Sequence, residues 1–205
     1  MNFYHSITYS IYLALASLML ASGQLDARNF DRVILDPGHG GSDKGCLWGG
    51  VREKEMTLKL AKKVESRLKA NGVPVVMTRR SDLFVSLQRR AYISTRYRNA
   101  IFVSLHYNAH TNTSVYGLES FYYSPEGKKL ATPIHRELQK RFNLKDRGIR
   151  KKDFYVLRKT ACPAALIEVA YLSNPAERRR FSSEAFQWRV ARAIAYGILQ
   201  YRKMP

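Results

Sequence analysis

Apolar residues recur along this chain in two rhythms that take turns. Val33-Ile34-Leu35 is a continuous apolar run, and Arg32 to Leu35 reads as a buried strand. From Lys54 to Lys69 the period changes: Met56, Leu60, Val64 and Leu68 step by four with charges between them, which predicts an amphipathic helix. Asn71-Gly72 stops it. Val73 to Thr78 reads as a strand with Pro74 near its start, Leu87 to Arg98 as a helix, and Ile101 to Leu105 as a strand. After the polar loop Thr111 to Tyr116, Leu118 to Tyr123 is a further strand. Gly127 to Phe142 is helical, with Leu130, Ile134 and Leu138 on one stripe. Phe154 to Leu157 and Ala164 to Val169 read as strands, and Glu184 to Tyr201 closes the pattern as a helix buried through Phe186, Val190, Ile194 and Ile198. Strands and helices that alternate in this way predict an α/β domain, a sheet flanked by helices. Sites in such sheets form beyond the carboxyl ends of the strands.

Composition adds limits. The chain has 205 residues, 45% hydrophobic and 12% aromatic, enough for one packed domain. Ile11 to Ala21 is apolar, has the length of a signal-peptide core and is too short to span a bilayer comfortably. Residues 1–27 are therefore expected to be a signal peptide or N-terminal anchor, and residues 28–205 the working domain. The net charge of +19 favours anionic partners: nucleic acid, an acidic wall polymer or an anionic membrane surface. The basic residues fall in pairs and triplets, Arg79-Arg80, Arg89-Arg90 and Arg178-Arg179-Arg180, which read mostly as solvated helix faces. No zinc-finger spacing or ribonucleoprotein signature accompanies them, so nucleic acid is not the expected partner. Cys46 and Cys162 form no C-x-x-C pair, which excludes a structural cysteine zinc site. One disulfide or two free thiols are both open.

The chemistry starts at the first strand. Leu35-Asp36-Pro37-Gly38-His39-Gly40-Gly41 ends an apolar strand in a glycine-rich turn that presents a histidine. Glu53 follows in Arg52-Glu53-Lys54-Glu55, and His106 in Ser104-Leu105-His106-Tyr107-Asn108. Two histidines and a carboxylate make a catalytic zinc site with its fourth position open to water. Glu168 stands in the apolar run Ala164-Ala165-Leu166-Ile167-Glu168-Val169. A buried carboxylate there is costly unless it is hydrogen-bonded or functional.

Together these pieces resemble the zinc-dependent N-acetylmuramoyl-L-alanine amidases of bacterial cell-wall metabolism. The resemblance runs from about Arg32 to Tyr201. It also includes Thr78-Arg79 with Asp82, Leu87 with Arg90, Arg147-Gly148, and Leu172-Ser173-Asn174. It implies a single domain with a mixed, mostly parallel sheet. It implies one Zn2+ held by His39, Glu53 and His106, with Glu168 as the catalytic carboxylate. The implied reaction splits the amide between the lactyl group of N-acetylmuramic acid and the L-alanine of the stem peptide. Glu53 is preferred to Glu55 because its motif position matches. Asp36 and Asn108 are candidates for orienting a histidine or the substrate. Arg147 is a candidate for a stem-peptide carboxylate or a surface salt bridge. Tyr107 stands where many relatives have a small residue, and is expected to narrow the groove or stack on a sugar. His110 reads as loop and His135 as a solvated helix residue. The expected partners are peptidoglycan or muropeptides, with envelope or division proteins for placement. The enzyme would be an exported monomer of the periplasm or cell envelope. Only about thirty residues separate Tyr123 from Phe154, room for one helix and a turn, so the autoinhibitory helical insertion of some relatives is not expected.

Four other readings compete. A wall-binding module without catalysis would lack one of the four site residues. A stem-peptide peptidase would use the same zinc chemistry. A serine acyl-enzyme is suggested by Ser66-Arg67-Leu68-Lys69, which lies on an amphipathic helix without convincing companion motifs. A nucleic-acid binder rests on charge alone.

Overall fold

The computed structural model describes residues 30–204, so the expected leader at 1–27 lies outside the described residues. The elements run β1 (Arg32–Pro37), β2 (Leu47–Trp48), β3 (Val51–Arg52), α1 (Glu53–Lys69), β4 (Val75–Met77), α2 (Leu87–Thr95) and β5 (Ala100–Asn108). They continue with β6 (Leu118–Tyr122), α3 (Pro125–Phe142), β7 (Asp146–Lys151), α4 (Tyr155–Arg158), β8 (Ala164–Tyr171), α5 (Pro175–Ser182) and α6 (Glu184–Arg202). Six strands form one sheet in the order β4-β1-β5-β8-β6-β7. All neighbours are parallel except β6 and β8, so the sheet is mixed and mostly parallel, as expected.

Alternation along the central strands sorts side chains between two cores. Val33, Leu35, Val103, Leu105, Ala165 and Ile167 face the larger one, packed with α1, α3 and α6. Ile34, Phe102, Ala164 and Leu166 face the smaller one, with Val156 and Leu157 of α4 and Ile93 of α2. Leu35, Val103 and Ile167 are fully buried, each contributing roughly 1.5–3 kcal/mol. The same parity places Asp36, His106 and Glu168 on the smaller-core side, where, among the described residues, two short helices cover the sheet.

Three parts of the sequence reading change. Phe154 to Leu157 is not a strand: Tyr155–Arg158 is one helical turn that buries Val156 and Leu157 against the sheet. The strand lies earlier, at Asp146–Lys151, where the polar run DRGIRK hides it. It pairs only with β6, so its exposed rim needs no apolar face. The hairpin β2–β3 and the helix α5 were not anticipated. Gly49-Gly50, both at positive φ, form the tight turn of the hairpin. In α5, Asn174 caps the N–H groups of Ala176 and Glu177 and Pro175 takes the first turn.

His135 is also corrected. It is buried, with Nδ1 2.9 Å from Ser120 Oγ and Nε2 2.9 Å from Asp146 Oδ1, tying α3 to β6 and β7. Burial lowers its pKa, against the opposing pull of Asp146. Nor is the serine reading supported by placement. Ser66 is exposed on α1, and Lys69 pairs with Glu65 rather than with Ser66.

Candidate active site

His39 leaves β1 on a turn it does not adopt easily. Its φ of 60° is left-handed, an uncommon conformation for a residue with a side chain. Two buried arginines hold the turn by its carbonyls. Arg90 donates to Pro37 O at 2.8 Å and to His39 O at 2.6 Å. Arg79 donates to Pro37 O at 3.0 Å and to Gly38 O at 2.8 Å. Asp36 anchors Arg90 at 2.6 Å and accepts from Thr78 and Ser104. Its carboxyl lies below the usual range although burial opposes this, because Arg90 and the two hydroxyls favour the charged form. Asp36 therefore holds Arg90, and Arg90 holds the turn that carries His39. Arg79 and Arg90 had read as solvated basic residues; both are buried.

Glu53 opens α1 and reaches under the turn. Its carboxylate accepts the N–H of Cys46 and of Tyr107, both at 3.0 Å. Its Oε2 lies 3.1 Å from His39 Nε2 and its Oε1 3.0 Å from His106 Nδ1. Glu55, two residues on, instead pairs with Arg52 at the surface. His106 does not follow β5 but lies within it, with its ring against Gly38. A Cβ at Gly38 would stand 2.2 Å from His106 Cε1, so only glycine fits there.

These donors suit a metal ion. One atom from each of His39, Glu53 and His106 lies within 4.8 Å of the others. Asp43 meets His39 Nδ1 at 2.9 Å, and a carboxylate only accepts, so Nδ1 carries the proton. His39 Nε2 in a neutral ring is then a lone pair facing the Glu53 carboxylate. Two acceptors 3.1 Å apart demand a proton or a cation between them. Without an ion, Glu53 and Asp43 raise the His39 pKa, overcoming burial. The two histidines hold Glu53 well below its usual range, again against burial.

The trio lines a cleft of about 350 Å³, whose walls include Leu87, Phe154, Leu166 and Glu168. Glu168 pairs in register with His106 across β5–β8 and with Glu119 across β8–β6. Its Oε2 is buried and finds no hydrogen-bond partner among the described residues. Burial, with the charges of Glu53 and Glu119, pushes this carboxyl well above the usual range.

The family profile described as N-acetylmuramoyl-L-alanine amidase matches residues 33–200. The chain belongs to this amidase family. The N-acetylmuramoyl-L-alanine amidase LytC of Bacillus subtilis (strain 168) is 32% identical over 83% of this chain and 35% of its own length. Among solved structures, the amidase AmiC2 of Nostoc punctiforme is 41% identical with a TM-score of 0.79, covering 82% of this chain and 95% of that one. The catalytic domain of CwlV from Bacillus (Paenibacillus) polymyxa var. colistinus is 38% identical with a TM-score of 0.80, covering 84% and 98%. The chain spans about a third of the length of the first curated relatives it matches.

Other residues singled out in the sequence have different surroundings. Tyr107 follows His106 on β5 and so points to the opposite face, 1% exposed and edge-on to Phe181. Its ring is core and does not stack on a sugar. Asn108 donates to Glu119 at 2.9 Å and accepts from Ala109 N–H, bracing the turn after β5. Arg147 Nε faces Glu119 at 3.5 Å and the guanidinium lies over the Tyr171 ring; Arg147 is not among the residues that line the cleft. His110 lies exposed in the loop beyond β5. Cys46 and Cys162 are free thiols that pack on opposite faces of the sheet. Burial and the neighbouring Glu53 push the Cys46 thiol up, so it stays protonated beside the cleft.

The sequence reading assigned Asp43, Arg79 and Arg90 no part in the site. Thr78-Arg79 and Leu87 with Arg90 enter the sequence reading as motif pieces only. Buried arginines cannot be told from solvated ones by composition, because most of the partners that admit them are backbone carbonyls.

Proposed function

We propose that this chain is a zinc-dependent N-acetylmuramoyl-L-alanine amidase that cleaves between the lactyl group and the L-alanine of the peptidoglycan stem peptide. The observation that carries this reading is the buried Glu168 Oε2, without a hydrogen-bond partner among the described residues, in the same cleft as the His39–Glu53–His106 donors. Family membership supports the bond; the cleft supports the chemistry.

His39, Glu53 and His106 would hold the ion, with Asp43 fixing the His39 tautomer and Gly38 giving the His106 ring its place. Bound zinc would polarise the amide carbonyl and lower the pKa of a coordinated water. Glu168 takes a proton as the water oxygen bonds to the carbonyl carbon. It returns that proton to the nitrogen of L-alanine as the C–N bond breaks, leaving a lactyl carboxylic acid and a free amine. A carboxyl whose pKa is raised by its surroundings is suited to both halves of that exchange. The sheet backs the cleft and α2 and α4 flank it. The helix α3, which follows β6, packs against α6, β6 and β8. The cleft therefore needs no activator to open it, and adding a cognate activator should change turnover little.

On this reading residues 1–27 serve export and 28–205 the chemistry, so the enzyme works in the cell envelope. No helix among the described residues is long and apolar enough to cross a membrane. One relative, the CwlD amidase of Clostridioides difficile, was solved in complex with the GerS lipoprotein, and a partner for placement fits the same scheme.

The test is a digest of purified peptidoglycan, with and without chelator and with Glu168→Ala, products being read by mass. Stem peptides beginning at L-alanine, absent with chelator and in the variant, are expected. Shortened peptides still joined to muramic acid would replace this reading with a stem-peptide peptidase. Wall binding without any product would leave a binding module.

A further inference from the structure

A second groove, of about 580 Å³, runs on from the catalytic cleft between α2 and α4. The two share Tyr155, and Leu87 in the cleft is followed along α2 by Gln88, Arg89 and Tyr92 in the groove. Lys159, just past α4, closes the far wall. Among the described residues no acidic side chain lines it. Several basic residues around the cleft are, by contrast, engaged. Lys54 pairs with Asp82, Arg90 with Asp36, Arg147 and Arg150 with Glu119, and Arg158 with Asp153. Arg89 and Lys159 have no carboxylate partner among the described residues. Arg89 lies only over the ring of Tyr92, 5.6 Å from its centre, and Tyr92 is 54% exposed.

We infer that this groove seats the carboxylates of the stem peptide, so that the peptide leaves the scissile bond along α2 and the glycan lies on the other side of the cleft. The inference rests on the amidase reading above. The two halves of that substrate differ in charge. N-acetylated sugars with an amidated lactyl group are neutral, whereas the peptide carries free carboxylates. A groove with two unneutralised cations therefore selects the peptide half. Tyr92 and Tyr155 offer flat apolar surface to the peptide's aliphatic parts. Length agrees as well. From Leu87 to Thr95 the helix advances about 12 Å, room for roughly three to four extended residues at about 3.3–3.6 Å each.

The test is binding of two soluble stem tetrapeptides, one with free carboxylates and one with every carboxylate amidated. Each is titrated against the purified zinc-loaded protein and against Arg89→Gln/Lys159→Gln. The wild type is expected to bind the acidic peptide about tenfold more tightly than its amidated twin, from two exposed charge contacts. The double variant is expected to bind both alike, with unchanged melting temperature, since both side chains are exposed. Equal binding of the two peptides by the wild type, or a preference that survives in the double variant, overturns the inference. The peptidoglycan digest judges the amidase reading separately. A wild type that releases no stem peptide sinks that reading, while the titration still decides what the groove binds.

Discussion

Tyr107 and Glu168 show what a single polar atom costs. The Tyr107 hydroxyl is buried and has no partner among the described residues, a deficit of about 1–3 kcal/mol. Tyr107→Phe should therefore leave peptidoglycan turnover within about twofold and raise the melting temperature; a large loss of turnover would put the ring back at the substrate. Glu168 carries a similar deficit for a different reason. In the metal-free protein its folded pKa lies above the ordinary 4.5. The folded chain then binds a proton that the unfolded chain has already released. Stability is thus full below about 4.5 and falls as pH rises toward the folded pKa. Glu168→Gln removes this slope. In chelator, the variant should melt higher than the wild type at pH 8 and differ least near pH 4, while losing hydrolysis. Parallel melting curves at both pH values would mean the carboxylate is satisfied. His106 and Tyr107 were legible as a strand end, yet strict alternation from Leu105 already assigns Tyr107 to the core. Its expected contact with a sugar came from the resemblance, which carries no face.

At the scale of elements, the helices α1, α3 and α6 and the central strands could be read from period alone, because each buries an apolar face. What could not be read were pieces stabilised by something other than apolar burial. The strand β7 is held by backbone pairing on one side, α4 is a single turn, and β2–β3 is a glycine hairpin. The left-handed turn at His39 belongs with them, being held by side chains from β1, α2 and the segment after β4. Arg90 is the central one: Arg90→Ala leaves Asp36 charged and buried without its partner, and frees the carbonyls of Pro37 and His39. The expected loss is about 3–5 kcal/mol in denaturant unfolding. Zinc affinity should also fall about 10–100-fold, as for other groups that orient a ligand from behind. Unchanged zinc titration in a folded Arg90→Ala protein would show that His39 keeps its place unaided.

The whole molecule is strongly basic, and its charge is spread over pairs and triplets rather than a tail. Attraction to an anionic wall should therefore be long-ranged and salt-sensitive. Sedimentation with purified wall should weaken steadily between about 10 mM and 1 M salt, over which the Debye length shrinks from about 30 Å to 3 Å. Hydrolysis of a small soluble muropeptide should respond much less; equal salt sensitivity of the two would place the effect in the cleft. Among the described residues the sheet has two open rims. One is β4, only three residues long; the other is β7, whose sequence carries Arg147, Arg150 and Lys151. An exposed strand is a template on which another copy can grow, and shortness and positive charge are the two ways these rims refuse it. The basic residues that made β7 hard to recognise as a strand thus also guard against fibre formation.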